Sequence, residues 1–121
     1  IKFLSFFKLT KGIRKVDEHK ILRARFNGMQ EYFQLYLPKV PKQIENIYQG
    51  RFEEIQNQAN QAYETWQRFE INYKKLKFQG FENKFQNTAF YYKRKILRME
   101  YKSILNTLSV LIISMRNTTN I

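Results

Sequence analysis

Apolar side chains recur along this chain at alternating intervals of four and three residues, the spacing that lines one face of an α-helix. In the first such run Leu22, Phe26, Met29, Phe33 and Tyr36 form a single seam. The spacing predicts a helix over 17–37. Asp17 is its expected N-cap, because a carboxylate at that position can accept a free backbone N–H of the first turn. Gly28 lies inside the run and costs about 1 kcal/mol relative to Ala. Pro38 and Pro41 forbid continuation, so a corner follows Leu37.

The second run is the longest. Tyr48, Phe52, Ile55, Ala59, Ala62, Trp66, Phe69, Tyr73 and Leu76 keep one register and predict a helix over 42–77. At about 1.5 Å per residue it is on the order of 50 Å long. Its other face is Glu, Gln and Asn, with Glu64–Arg68 and Glu70–Lys74 spaced to pair at i, i+4. Gly80 is the natural stop, because glycine readily takes the left-handed C-cap conformation. A third seam, Leu97, Tyr101, Ile104, Leu108, Leu111 and Met115, predicts a helix over 82–115. Beyond Ile104 this helix is apolar on nearly every side, the pattern of a helix buried all round. A chain of 121 residues cannot surround it alone, so a partner is expected there.

Neither strand alternation, nor an internal repeat, nor a disordered linker is visible. Gly and Pro, at 4 and 2, are too few for a turn-rich β-sandwich. The expected fold is all-α: an elongated helical hairpin or three-helix bundle of long amphipathic helices, one domain, with a basic arm over 1–16. Long seam-bearing helices of this kind are commoner in large assemblies than in free globular proteins.

Charge adds the next constraint. The formal net charge is +12, from 22 Lys and Arg against 10 Asp and Glu, which favours an anionic partner such as RNA, an acidic protein face or anionic lipid. Lys, Asn, Ile, Phe, Tyr and Gln are abundant and have many A/T-rich codons, so part of the lysine excess reads as codon composition. The basic residues are also segregated. Residues 1–25 carry eight positive and two negative charges, residues 42–70 three and five, and residues 71–102 nine and two. Two positive zones thus flank a mildly acidic middle.

The first 16 residues hold Lys2, Lys8, Lys11, Arg14 and Lys15 without an acid, interleaved with Phe3, Leu4, Phe6, Phe7 and Leu9. That is the composition of a mitochondrial presequence, and equally of a basic helical arm that docks on a partner. The most apolar stretch, Ile104 to Met115, is shorter than the roughly 20 residues a bilayer span needs. Asn106, Thr107, Ser109 and Ser114 interrupt it, so a buried or interfacial helix end is expected. Asn117, Thr118 and Thr119 form a sequon of the kind that arises by chance in an Asn-rich chain.

Little in the sequence suggests catalysis. His19 is the only histidine and there is no cysteine, which removes thiolate sites and leaves a His-based triad without material. The glycines stand isolated, so no phosphate-cradling loop exists. Glu53 and Glu54 are adjacent, and adjacent helical residues do not face each other. The expectation is a non-enzymatic protein with no cofactor, no metal and no small-molecule substrate. The candidate binding residues are instead a basic cluster, Lys93, Arg94, Lys95, Arg98 and Lys102, and the apolar seam Leu97, Tyr101, Ile104, Leu108, Leu111 and Met115. Arg94, Arg98 and Lys102 lie at i, i+4, i+8 with Phe90, Tyr91, Tyr92 and Tyr101 among them. Guanidinium groups grip phosphates and aromatic rings stack on unpaired bases. The same cluster beside an apolar helix suits anionic lipid headgroups.

The segment Phe26, Asn27, Leu37, Pro38, Pro41, Ile44, Glu45 and Tyr48 resembles subunit d of the mitochondrial ATP synthase peripheral stalk. That family has an aromatic–Asn pair, then Leu-Pro, a further Pro, Ile with an acid, and Tyr. The resemblance covers about 25 of 121 residues. It departs at Asn46, where the family has Trp, and at Gln49, where it has a second Tyr. Small basic helical subunits of respiratory complex I align to a similar extent. With the presequence-like start, the long seams, the over-apolar C-terminal helix and the lack of catalytic groups, the resemblance points to a structural accessory subunit of a mitochondrial inner-membrane energy-transducing complex, packed on other protein subunits with its basic faces meeting acidic loops or anionic lipid. The alternative from a different class is an RNA-binding protein of a mitochondrial ribosome.

Overall fold

In the computed structural model the backbone is described over residues 2–78 and 84–119, and side chains over 18–75 and 88–119. The chain is all-α: α1 (Lys2–Tyr36), a single 3₁₀ turn (Leu37–Lys39), α2 (Lys42–Phe78) and α3 (Lys84–Thr119), with no strand among the described residues. It divides into two compact units, Ile1–Leu35 and Tyr36–Ile121.

In the first unit the helix begins at Lys2, not at Asp17. Asp17 therefore lies within the helix and not at its N-terminus, and the backbone of the expected arm, from Lys2 on, belongs to the same helix as the seam that follows. The reason is simple. No proline stands before Pro38, and the one glycine before Asp17 costs only about 1 kcal/mol. A carboxylate acts as an N-cap only where the residue before it has left helical geometry. The seam itself is as expected: Leu22, Phe26 and Phe33 are buried and Met29 is half-buried, while Ile21 and Leu35 on other faces are exposed.

The corner is built by its two prolines. Pro38 opens the 3₁₀ turn, where a missing N–H is harmless. Val40 precedes Pro41 and is extended, at φ −79° and ψ 157°, because the proline ring excludes the helical region for the residue before it. The Val40 N–H donates to the Leu37 carbonyl at 3.2 Å, and the Ile44 N–H to the Pro41 carbonyl at 3.1 Å, which starts α2. Leu37 and Val40 are both buried, so the corner is anchored by apolar packing as well as by backbone bonds.

Helices α2 and α3 form an antiparallel hairpin. The Tyr48 and Ser114 hydroxyls share a hydrogen bond of 2.8 Å near one end. Further along, the Tyr63 and Tyr101 rings lie 5.5 Å apart, and Trp66 and Tyr101 6.2 Å apart. Towards the turn, the Tyr73 and Phe90 rings stack at 3.7 Å. Each step forward on α2 is a step back on α3, so one register holds from Tyr48 to Tyr73, roughly 37 Å of helix at 1.5 Å per residue. Phe52, Ile55, Ala59 and Trp66 are buried on α2, and Tyr101, Leu105, Leu108, Leu111, Ile112 and Met115 on α3. Ala59 is fully buried in this seam, where its small side chain leaves room for the facing helix. Helix α3 ends at Thr119, four residues beyond Met115. The Thr118 and Thr119 hydroxyls donate to the Met115 and Arg116 carbonyls at 2.6 and 2.8 Å, satisfying groups that the last turn leaves open. The expected stop at Gly80 and the expected start at Glu82 lie outside the described residues.

Two outcomes follow for stability. Trp66→Ala is expected to destabilise the chain by about 3–5 kcal/mol in urea titration, the cost of emptying a fully buried aromatic site. Gly28 and Gly50 sit mid-helix with nothing within 4 Å of a built Cβ. Gly28→Ala and Gly50→Ala should each stabilise by about 0.5–1 kcal/mol in the same assay, since only backbone entropy changes.

Candidate functional site

A helical row at i, i+4, i+8 is not straight. Each step of four residues at 3.6 per turn rotates by about 40°, so the row spirals round the helix. Arg94, Arg98 and Lys102 follow that spiral from the inside of the hairpin to the outside. The Arg94 side chain is 17% exposed and its Nε–H donates to Glu70 Oε1 at 2.5 Å, across to α2. Arg98 is half-buried and Lys102 is exposed. The three therefore do not form one cationic face, and Arg94 is an internal ion-pair partner where a phosphate-gripping group was expected.

Glu70 is the centre of this arrangement. Its carboxylate is 14% exposed and accepts from both Arg94 and the Trp66 indole Nε1–H, the latter at 3.2 Å. A carboxylate withdrawn from water is costly unless it is paired and hydrogen-bonded, and here it is both. By contrast, the expected Glu64–Arg68 pair does form, at 3.9 Å, but both side chains are exposed and it contributes little.

The aromatic residues near the cluster divide in the same way. Phe90 stacks on Tyr73 and lies 5.2 Å from Phe69, and Tyr101 is fully buried, so neither ring is open to a base. Tyr91 and Tyr92 are exposed. The Lys93 ammonium lies 4.9 Å from the Phe69 ring centre, a cation–π contact across the hairpin made by a side chain that is otherwise exposed. Of the basic cluster, Lys93, Lys95 and Lys102 present charge to solvent.

The apolar half of the expected site is turned inward. Tyr101, Leu108, Leu111 and Met115 are buried in the chain itself, and Leu97 and Ile104 are half-buried. The four buried residues belong to the core of the hairpin, while Leu97 and Ile104 lie at its edge. Two more core residues, Leu105 and Ile112, were not in the expected seam. After Ile104 nearly every position is apolar, so two overlapping registers fit the same spacing, and spacing alone does not choose between them. What the chain leaves outside is a different set, Ile96, Met99, Val110 and Ile113 with Tyr92. Its signal was present in the sequence as a second run of four-and-three spacing.

Between the helices run two open grooves that share Gln58. One, of about 660 Å³, is lined by Ile44, Ile47, Arg51, Thr107 and Val110, among others. The other, of about 450 Å³, is lined by Gln61, Thr65, Glu100, Ser103 and Ile104. Amides, hydroxyls and scattered aliphatic groups line them, with the charged Arg51 and Glu54 in the first and Glu100 in the second. Among the described residues no three His, Cys, Asp or Glu side chains converge as a metal site would require. His19, half-buried, lies well inside α1 and not near a helix start. No described helix is long and apolar enough to cross a membrane.

These features define a helical hairpin with an apolar interior, an internal Glu70–Arg94 ion pair and an apolar outer stripe on α3. No protein family, no curated protein and no solved structure matches the chain.

Arg94→Ala is expected to destabilise by about 2 kcal/mol, because it leaves Glu70 withdrawn from water with one hydrogen bond fewer. Lys95→Ala should change stability by less than about 0.5 kcal/mol. Equal effects of the two substitutions in urea titration would contradict the internal role of Arg94.

Proposed function

We propose that this chain is a non-catalytic structural subunit built into a larger protein assembly, an energy-transducing complex of the mitochondrial inner membrane. One observation carries the first part. The interior of the hairpin is filled, yet Tyr92, Ile96, Met99, Val110 and Ile113 stand 68, 64, 55, 66 and 54% exposed on α3. Free proteins seldom leave a run of large apolar side chains in water, and such runs mark contact surfaces. The mitochondrial part rests on the sequence: the acid-free basic stretch of residues 1–16 and the local likeness to peripheral-stalk subunit d. Anionic lipid near the exposed lysines is compatible with this reading.

A second reading is favoured by one feature. Lys93 and Lys95 are exposed next to exposed Tyr91 and Tyr92, Lys102 is exposed about 15 Å further along α3, and cationic groups beside exposed rings suit single-stranded RNA. The internal use of Arg94, Phe90 and Tyr101 weakens it, because half of the expected contact groups are committed elsewhere.

Gentle extraction and native sizing separate the two. On the assembly reading the chain migrates with mitochondrial proteins in a particle many times its own 14.9 kDa, and nuclease leaves that particle intact. Release by nuclease, or migration at its own mass, would contradict it. On the RNA reading, replacing Lys93, Lys95 and Lys102 with Ala lowers the slope of log affinity against log salt by about two units.

A further inference from the structure

The exposed face of α3 has a regular spacing. Tyr92, Ile96, Met99, Ser103, Asn106, Val110 and Ile113 follow one another at 4, 3, 4, 3, 4, 3, and every one of them is exposed. By helical spacing these positions lie opposite the buried line Tyr101, Leu105, Leu108, Ile112 and Met115, with Ser103 and Val110 also bordering the grooves on the α2 side. The run spans three heptads, roughly 32 Å of helix. Five of its seven positions are large and apolar, and the two polar ones are adjacent in the middle. A strict seven-residue repeat drifts by about 20° per heptad on a straight helix, so a straight cleft or a flat surface does not follow it, whereas a second helix coiling left-handedly does.

The positions that border this stripe are charged and unequal in sign. Lys95 and Lys102 lie along one border, Lys93 and Glu100 along the other, and all four are exposed. In a helix pair these are the flanking positions whose charges select the partner. Three lysines against one glutamate call for acidic flanks.

We infer that the outer stripe of α3 is a docking seam for one amphipathic helix of a partner protein, with apolar residues at the core positions and Glu or Asp at the flanks. This rests on the reading of the chain as an assembly subunit and specifies the chemistry of its neighbour. Ser103 and Asn106 fix the register, because a partner that sets apolar groups opposite them strips water from polar groups without replacing it. A second copy of this chain is the wrong occupant. Antiparallel self-pairing sets the Lys95 and Lys102 border against itself. The acidic outer face of α2 carries Glu53, Glu54 and Glu64, but its exposed large apolar residues among the described ones are Ile47 and Ile71, which stand too far apart to fill the seam. A bilayer surface is also a poorer fit, since Ser103 and Asn106 interrupt the apolar face at its centre.

The test uses the full chain and a synthetic helical peptide of about 28 residues, four heptads with Leu at the core positions, Asn and Ser at the central pair and Glu at both flanks. A matched peptide carries Lys at the flanks. The Glu peptide is expected to bind at least about tenfold more tightly than the Lys peptide, with the difference shrinking from low to high salt. The double variant Ile96→Glu, Val110→Glu should lose about a hundredfold in affinity or more while keeping its circular dichroism and urea midpoint, since both positions are exposed. Equal binding of the two peptides overturns the inference, as does unchanged binding by the double variant. So does concentration-dependent self-association that the double variant abolishes. Binding to mixed phosphatidylglycerol–phosphatidylcholine vesicles with no binding of the Glu peptide overturns it in favour of a membrane surface. In cells, a double variant that still enters the native particle refutes the seam and leaves the assembly reading standing. A wild-type chain that migrates alone refutes the assembly reading, and the peptide result then stands on its own.

Discussion

The Glu70 carboxylate lies between the Trp66 indole and the Arg94 guanidinium, and the register of the α2–α3 hairpin depends on keeping it there. Apolar packing alone is tolerant. Aromatic and aliphatic residues repeat along both helices, and a slip of one helical turn would again set ring against ring. It would also carry Arg94 more than 5 Å along α2 and leave a water-poor carboxylate without its cation. The ion pair thus penalises every wrong register, while buried side chains such as Phe52, Trp66, Tyr101 and Leu108 supply the apolar contact. With that register fixed, Tyr48 meets Ser114, Tyr73 meets Phe90, and the opposite face of α3 is left in water.

How far the fold could be read from the sequence varied with the local pattern. The long helix 42–77 was legible because one register ran through it and Pro41 marks where it starts. The first helix was legible at its proline end and misread at its start, because Asp17 has the chemistry of a cap but nothing before it interrupts the helix. The lower half of α3 was legible as helix and ambiguous in face. Where nearly every residue is apolar, periodicity loses its contrast, and the choice between Ile104 with Leu111 and Leu105 with Ile112 depends on where α2 lies. Sequence carries no direct record of that.

The same limit governs the binding residues. Arg94 and Lys102 share a row in sequence and belong to different environments in the folded chain, because an i+4 row rotates as it advances. A cationic cluster read from sequence therefore overstates the charge offered to a partner. In this chain it divides into an internal share held by Glu70 and an external share, Lys93, Lys95 and Lys102, that borders an apolar stripe. The combination of that stripe with one-sided charge is what a helix–helix contact requires, and it accounts for the exposed Ile96, Met99, Val110 and Ile113 without any appeal to lipid or nucleic acid.

The central claim is that α3 has an inner face owned by the chain and an outer face owned by its surroundings. The chain has no cysteine, so thiol labelling reads single positions without background. Ile96→Cys and Val110→Cys should react rapidly with a maleimide in the isolated chain and be protected in the native particle. Leu108→Cys, on the buried side, should be slow in both. Outer-face thiols that remain fully reactive inside the particle would contradict the account.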